Sequence, residues 1–250
     1  MISKSIVKFI KSLQIKKYRK QEQAFLVEGA KSVTEVIQSD YRIKKLLATE
    51  PFLQENQDIL AHKSFEILPV NEKELSTLGT FKSNNAAMAI TEMKPNIVLT
   101  VTGKEYGLVL DDVRDPGNLG TIIRIADWYG IKKIICSNTC ADVYNPKTIS
   151  ASMGSFCRIE VFFTDLVDYL SKADCPVFGA FLEGKNVHQT QFSKRGLILM
   201  GNESKGISAN LEPLVNHKIS IPRFGEAESL NVGVATAVIC DNLRREFPIN

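Results

Sequence analysis

Between Tyr106 and Phe247 short apolar runs alternate with amphipathic stretches, and this rhythm constrains the fold more than any other feature of the chain. The segments "YGLVLDD", "KKIICS", "RIEVFF", "PVFGAFL", "GLILMG" and "HKISIP" read as strands. "GNLGTIIRIADW", "NPKTISASMGSFC", "DLVDYLSKA" and the closing "SLNVGVATAVICDNLRREF" read as helices, the second with a loop. Apolar strands separated by helices imply a mostly parallel sheet. Ligands in such sheets lie beyond the carboxyl ends of the strands. Three turns fall at such ends: "DDVRDPGNLG", "MGNESKG" and "IPRFGEAESLN".

The first half carries its own alternation. "AFLVEGAKSVTEVIQ" reads as a strand entering a helix, "IKKLLAT" as a strand and "PFLQENQDILAHK" as a helix. "FEILPV", "NEKELSTLG" and "AAMAITEM" continue as strand, helix and strand. The result is a compact α/β unit of about a hundred residues. "KPNIVLTVTGKE" offers few core residues and reads as a linker. The expected order is a basic N-terminal helix over 1–20, a small domain over 21–94, a linker over 95–105 and a second domain over 106–250.

The apolar fraction of 44% is ordinary for a soluble globular protein. No apolar run approaches the length that spans a bilayer. Net charge is only +3, but residues 1–20 hold seven basic side chains and no acidic one. Such a patch fits a polyanion or a solvated helix face. Ile2, Ile6, Phe9, Ile10 and Leu13 follow helical spacing there, without the continuous apolar core of a secretory signal. The segment is basic like a mitochondrial transit peptide, but Arg19 is its only arginine. The five cysteines form no C-x-x-C pair and the three histidines are scattered. This favours reduced thiols and gives no support to a metal site or a Cys/His nucleophile.

The turn after "GLVL" looks at first like a phosphate loop. A dinucleotide fingerprint needs G-x-G-x-x-G, and only Gly117 and Gly120 are present. A P-loop ends in G-K-[ST], whereas Thr121 and Ile122 follow Gly120 here. Neither reading holds. In the following helix Ile122, Ile125, Ala126 and Tyr129 share one face, with Arg124 on the other side. Arg124 is either a solvated residue paired with Asp127 or a planar clamp for phosphate. Ser229 and Asn231 before the last helix suit helix capping, and Glu203 is either a loop acid or a buried carboxylate.

Together the three turns resemble the motifs of the SpoU-type (TrmH-like) branch of the SPOUT superfamily. The motif segments are "VRDPGNLGTIIRIAD", "LILMGNESKGIS" and "ISIPRFGEAESLNVGVATAV". Members are S-adenosylmethionine-dependent RNA 2′-O-ribose methyltransferases. "FLVEGAKSV" is similar to the start of the substrate-binding domain that many of them carry, and the resemblance covers essentially the whole chain. It implies a C-terminal α/β trefoil-knot domain with a mostly parallel sheet. It also implies a smaller N-terminal α/β domain similar to a ribosomal RNA-binding protein. Members work as homodimers, so Val232, Ala235, Ile239 and Leu243 on the last helix form either an interface or a buried face within one subunit. No metal and no membrane is implied. The expected location is the cytoplasm, with the mitochondrion a secondary alternative in a eukaryote.

Carried over by position, the catalytic set is Arg124, Asn118, Glu203, Ser229 and Asn231. The cofactor segment is Leu199, Met200, Gly201 and Asn202, with Ile219, Ile221, Ser229 and Leu230. RNA contacts fall to Lys16, Lys17, Arg19, Lys20, Lys31 and Arg124. Because arginine stays protonated, Arg124 is read as gripping phosphate and stabilising oxyanion charge rather than as a base. A 23S-type rRNA is favoured as substrate over tRNA, and a non-catalytic RNA-binding member is the further alternative. Three departures stand out. Ser204 replaces a usual glycine, Arg223 a usual methionine, and "KSNNAAMA" the usual P-Q-G turn.

Overall fold

The computed structural model describes residues 2–80 and 84–247. Lys82 and Ser83 of "KSNNAAMA" therefore lie outside the described residues. The chain divides into two compact units, residues 1–95 with 142–157, and residues 96–141 with 158–250.

The first unit opens with α1 (Lys4–Ser12) and α2 (Lys16–Glu22), so the expected single basic helix is two. Ser3 caps α1, and Gln23 ends α2 in the left-handed region at φ 47°. Then follow β1 (Ala24–Glu28), α3 (Ala30–Gln38), β2 (Ile43–Ala48), α4 (Glu50–Glu55), α5 (Gln57–Leu60), β3 (Glu66–Pro69), α6 (Glu72–Leu78) and β4 (Ala87–Glu92). The helix expected over 51–63 breaks at Asn56, whose side-chain amide donates to the Phe52 carbonyl at 2.9 Å. A local side-chain bond of this kind competes with continued helix. The sheet order is β1-β4-β2-β3, with only the β2/β3 pair parallel. Ile10 and Leu13 bury with Leu26, Leu47, Leu75, Leu78, Met88 and Ile90 beneath it.

The second unit holds β5 (Tyr106–Leu110), α7 (Pro116–Trp128) and β6 (Lys133–Ser137). The next helix, α8 (Pro146–Ser152), belongs to the first unit. A cut at residues 95–105 would assign 142–157 to the second unit, and side-chain chemistry explains why they pack elsewhere. Tyr144 packs against Phe25 with tilted rings and centroids 4.5 Å apart, and the Phe156 ring lies 5.5 Å from that of Tyr41. Asp142 pairs with the buried Arg19 at 2.7 Å. Aromatic burial contributes most of the stabilisation in such a contact.

The chain then returns with β7 (Glu160–Thr164), α9 (Leu166–Ser171), β8 (Val177–Asn186), β9 (Gly196–Met200), β10 (His217–Ser220) and α10 (Val232–Glu246). Six strands run in the order β10-β8-β9-β5-β6-β7, and every pair is parallel. All carboxyl ends therefore share one edge, as the alternation demanded. The supposed linker contributes Leu99 and Val101 to the core around Val109, Ile135, Leu197 and Leu199. Apolar residues at alternate positions in "IVLTV" were the overlooked signal. Val232, Ile239 and Leu243 are buried within the subunit, so that face of α10 is internal.

Candidate active site

The apolar strand β5 ends at Leu110, and two acids follow. Asp111 is buried and its Oδ2 accepts from the Ser208 amide at 2.7 Å. Its own amide donates to the Met200 carbonyl at 2.9 Å. Asp112 adopts φ 59°, a strained position for a side chain other than glycine. Its amide donates to Ser137 Oγ, and its carbonyl accepts from Asn202 Nδ2 at 2.9 Å. The Arg114 guanidinium beside Asp112 holds its carboxyl below the usual carboxylate range. The pair of acids thus lashes the first turn to the loop after β9. Sequence reasoning missed both acids, although two carboxylates directly after an apolar strand were the available signal.

Asp115 then caps α7, its Oδ1 accepting from the Asn118 amide at 2.9 Å, with Pro116 in the first turn. This cap sets the Asn118 side chain at the sheet edge. Asn118 Nδ2 donates to Glu203 Oε1 at 2.7 Å, and Asn118 Oδ1 accepts from Asn231 Nδ2 at 2.9 Å. Asn231 Oδ1 in turn accepts from the Gly233 and Val234 amides at 2.9 and 3.3 Å and so caps α10. One residue from each of the three turns meets in this chain. Its polarity is fixed without ambiguity. A carboxylate only accepts, so nitrogen of Asn118 must face Glu203 and oxygen must face Asn231. Asn231 is then forced to present oxygen to the helix.

Arg124 lies six residues beyond Asn118, about 9 Å along the helix axis. It is exposed and, among the described residues, makes no hydrogen bond or ion pair. Asp127, its partner in the structural alternative, is taken by Arg158 at 2.8 Å. An exposed guanidinium with no partner among the described residues is an anion site in waiting. Ser229 is exposed, and among the described residues it joins no hydrogen bond, so the structure does not bring it into the Glu203–Asn118–Asn231 chain.

The cofactor segment divides in the same way. The side chains of Leu199, Met200 and Ile219 are buried in the sheet, so only their main chain can face a ligand. Gly201 lets the backbone of the returning loop approach closely. A Cβ there would lie 2.2 Å from the Gly206 carbonyl carbon and 2.3 Å from the Ile207 nitrogen. Asn202 closes this turn, pairing through its main chain with Gly206. The Ser204 departure leaves the turn intact, since the Ser204 amide donates to Asn202 Oδ1 at 2.9 Å. Ile221 lies just past β10 and Leu230 just before α10, outside the sheet ladder, and Leu230 is 47% exposed. Arg223 is exposed, and its guanidinium reaches the Ala227 carbonyl at 3.4 Å within the third loop.

The elements that build this site match known proteins along their whole length. Residues 105–241 match the SpoU rRNA Methylase family. The chain belongs to that family. Residues 4–89 match the MRM3-like substrate binding domain. The 23S rRNA (guanosine(2553)-2'-O)-methyltransferase RlmP of Bacillus subtilis is 31% identical over 242 residues, covering 95% of each chain. The 23S rRNA (uridine(2479)-2'-O)-methyltransferase of Streptomyces viridochromogenes is 28% identical, over 89% of this chain and 83% of the other. An AdoMet-bound rRNA methyltransferase from Sinorhizobium meliloti superposes with a TM-score of 0.89 at 31% identity, covering 100% of this chain and 97% of that one. The expected α/β methyltransferase fold and family are therefore shown.

Among the described residues no group of three or more His, Cys, Asp or Glu could hold a metal ion, and no helix is long and apolar enough to cross a membrane. The cysteines are free, and burial pushes the Cys240 thiol up to about 12.

Proposed function

We propose that this protein transfers a methyl group from S-adenosylmethionine to a ribose 2′-OH of 23S-type rRNA. The observation that carries the reading is the Glu203–Asn118–Asn231 chain, which draws one residue from each motif turn, with unpaired Arg124 farther along α7. Both named relatives are 23S rRNA 2'-O-methyltransferases, which favours rRNA over tRNA.

The residues present fit the cofactor. Past the ends of β9 and β10 the chain offers main-chain polar groups around Gly201, Ile221 and Leu230, and apolar side chains suited to flank an adenine. When bound, it supplies a methyl group already activated by a sulfonium. What remains for the protein is mainly alignment. Asn118 has its carbonyl and one N–H committed, which leaves its second N–H in a fixed direction for the ribose. Glu203 Oε1 is engaged by Asn118, and its other oxygen is available to a hydroxyl proton. Arg124 grips the phosphate beside the target ribose and stabilises charge developing on the 2′ oxygen. Ser229 closes on the cofactor from the third loop. Lys16, Lys17, Lys20 and Lys31 are exposed and serve as RNA contacts. Arg19 does not, because its guanidinium is 1% exposed and spent on Asp142 and two carbonyls.

A second copy completes the enzyme. Trp128 on α7 is 83% exposed and Val234 on the adjoining α10 is 51% exposed. These, rather than the buried Val232–Leu243 stripe, are the large apolar side chains that α7 and α10 leave exposed for a homodimer. Sedimentation of wild type and Trp128→Glu tests this, with a purely monomeric wild type refuting it. The five free thiols accord with a cytoplasmic site of action.

The reaction is tested by mapping ribose methyls in RNA from cells with and without the gene. Loss of one 23S 2′-O-methyl is expected, restored by wild type and not by Arg124→Ala. An unchanged map removes the proposal. Arg124→Lys discriminates the grip, since an ammonium lacks the fork geometry; near-normal turnover would count against it.

A further inference from the structure

An open groove of about 460 Å³ lies in the first unit, lined by Gln14, Thr80, Asn145, Pro146, Lys147 and Ser150. Among the described residues no carboxylate lines it. Its three walls come from the α1–α2 turn, the end of α6 and α8, and buried charges lock each of them. Arg19 Nη1 donates to the carbonyls of Leu13 and Gln14 at 3.0 and 2.9 Å. Its Nη2 holds Asp142 at 2.7 Å, three residues before Asn145. Glu28, itself buried, accepts from the Thr80 amide at 3.0 Å and the Thr80 hydroxyl at 2.9 Å. Gln14 Nε2 reaches the Leu78 carbonyl at 3.1 Å and joins the first two walls. Buried ionic groups of this kind are expensive to desolvate. Here each of them holds backbone or side-chain groups at a wall of the groove.

The groove presents the chemistry of a donor. Asn145 Oδ1 accepts from the Lys147 amide at 2.9 Å, so its Nδ2 group is left to donate outward. Lys147 is exposed on the rim and Ser150 adds a hydroxyl. Lys16 and Lys17 start the helix just beyond Gln14. The volume suits one nucleotide unit. We propose that this groove holds a phosphodiester–ribose segment of the RNA substrate, apart from the nucleotide being methylated, with Asn145 and Lys147 as the principal contacts. The inference deepens the methyltransferase reading and rests on it for the choice of RNA as ligand. It assigns an RNA contact to a stretch that the sequence places inside the methyltransferase half.

Two variants test it with little risk to the fold. Asn145→Asp keeps the oxygen that caps α8 and turns the outward donor into a negative charge. Lys147→Glu changes an exposed side chain. The probe is an unmodified 23S rRNA transcript in filter binding across a salt series, beside calorimetry with S-adenosylmethionine. Each variant should weaken RNA binding about tenfold or more, and Lys147→Glu should lower the salt slope by about 1. Cofactor affinity should not move. Wild-type affinity and slope in both variants would overturn the groove. If the variants lose RNA affinity but the wild type fails to methylate the transcript, the groove stands and the proposed reaction falls. A wild type that neither binds nor methylates the transcript overturns both.

Discussion

Replacing Asn118 by aspartate converts the centre of the site from a hydrogen-bonded chain into a like-charge pair. Asn118 Nδ2 and Glu203 Oε1 are 2.7 Å apart, so the new carboxylate would face an existing one at about 3 Å. The repulsion lies between about 1.4 kcal/mol at the dielectric of water and about 5.5 kcal/mol at that of a partly buried site. Both residues are half-buried, which selects about 2–3 kcal/mol. The lost charge-assisted hydrogen bond adds about 1.5–3 kcal/mol. A total near 4 kcal/mol corresponds to about a thousandfold slower methyl transfer. Two further results follow from the same geometry. Activity of Asn118→Asp should recover as pH falls, because the pair can then share one proton. Adding Glu203→Gln should recover part of that loss but not wild-type activity, because the double variant lacks both the Asn118 N–H and the Glu203 carboxylate that face the ribose. The introduced glutamine amide would donate to one oxygen of the introduced aspartate and Asn231 to the other, at unchanged net charge. The assay is transfer of labelled methyl to a 23S rRNA transcript between pH 5.5 and 8.5. Wild-type activity in Asn118→Asp, or a double variant no better than the worse single one, would refute the reasoning.

Other perturbations test the packing within each unit. Arg19→Met strands the Asp142 carboxylate and the Leu13 and Gln14 carbonyls; denaturant unfolding should show a loss of about 3–5 kcal/mol. Gly201→Ala forces the 202–206 loop outward to clear the Gly206 and Ile207 backbone. It should cost about 1–3 kcal/mol of strain, seen in calorimetry as weakened cofactor binding by a protein that still folds. The Cys240 thiol is raised to about 12 from an ordinary value of 9.0. Above pH 9 the unfolded chain therefore releases a proton that the folded chain keeps, and stability falls as pH rises, by about 1.4 kcal/mol at pH 10. Cys240→Ala should show a smaller drop in melting temperature between pH 8 and 10 than wild type.

Strand placement in the second unit was legible because strands of a parallel sheet are apolar along their length, and each run stood out between helical stretches. The three functional turns were legible for the same reason, since a parallel sheet sets all its carboxyl ends on one edge. The α1–α2 break, the break at Asn56 and the core role of Leu99 and Val101 were not. Each depends on a local side-chain bond or on a neighbour distant in sequence. Arg19 is the sharpest case. Among seven basic residues it looks like one more RNA contact, and only the position of Asp142, 123 residues away, makes it a buried strut.

The alternation of strand and helix, with three polar turns at strand ends, determined the parallel sheet and its working edge, and the resemblance of those turns to the SpoU-type motifs supplied the candidate residues. Only the tertiary structure decided which candidates touch. It joined Glu203, Asn118 and Asn231, left Ser229 outside that chain and freed Arg124 by giving Asp127 to Arg158. It also moved residues 142–157 into the first unit. Periodicity records which face of an element is apolar, and that property is local. Hydrogen bonds and ion pairs between residues 85 or 123 positions apart depend on how whole elements pack, which no local pattern encodes.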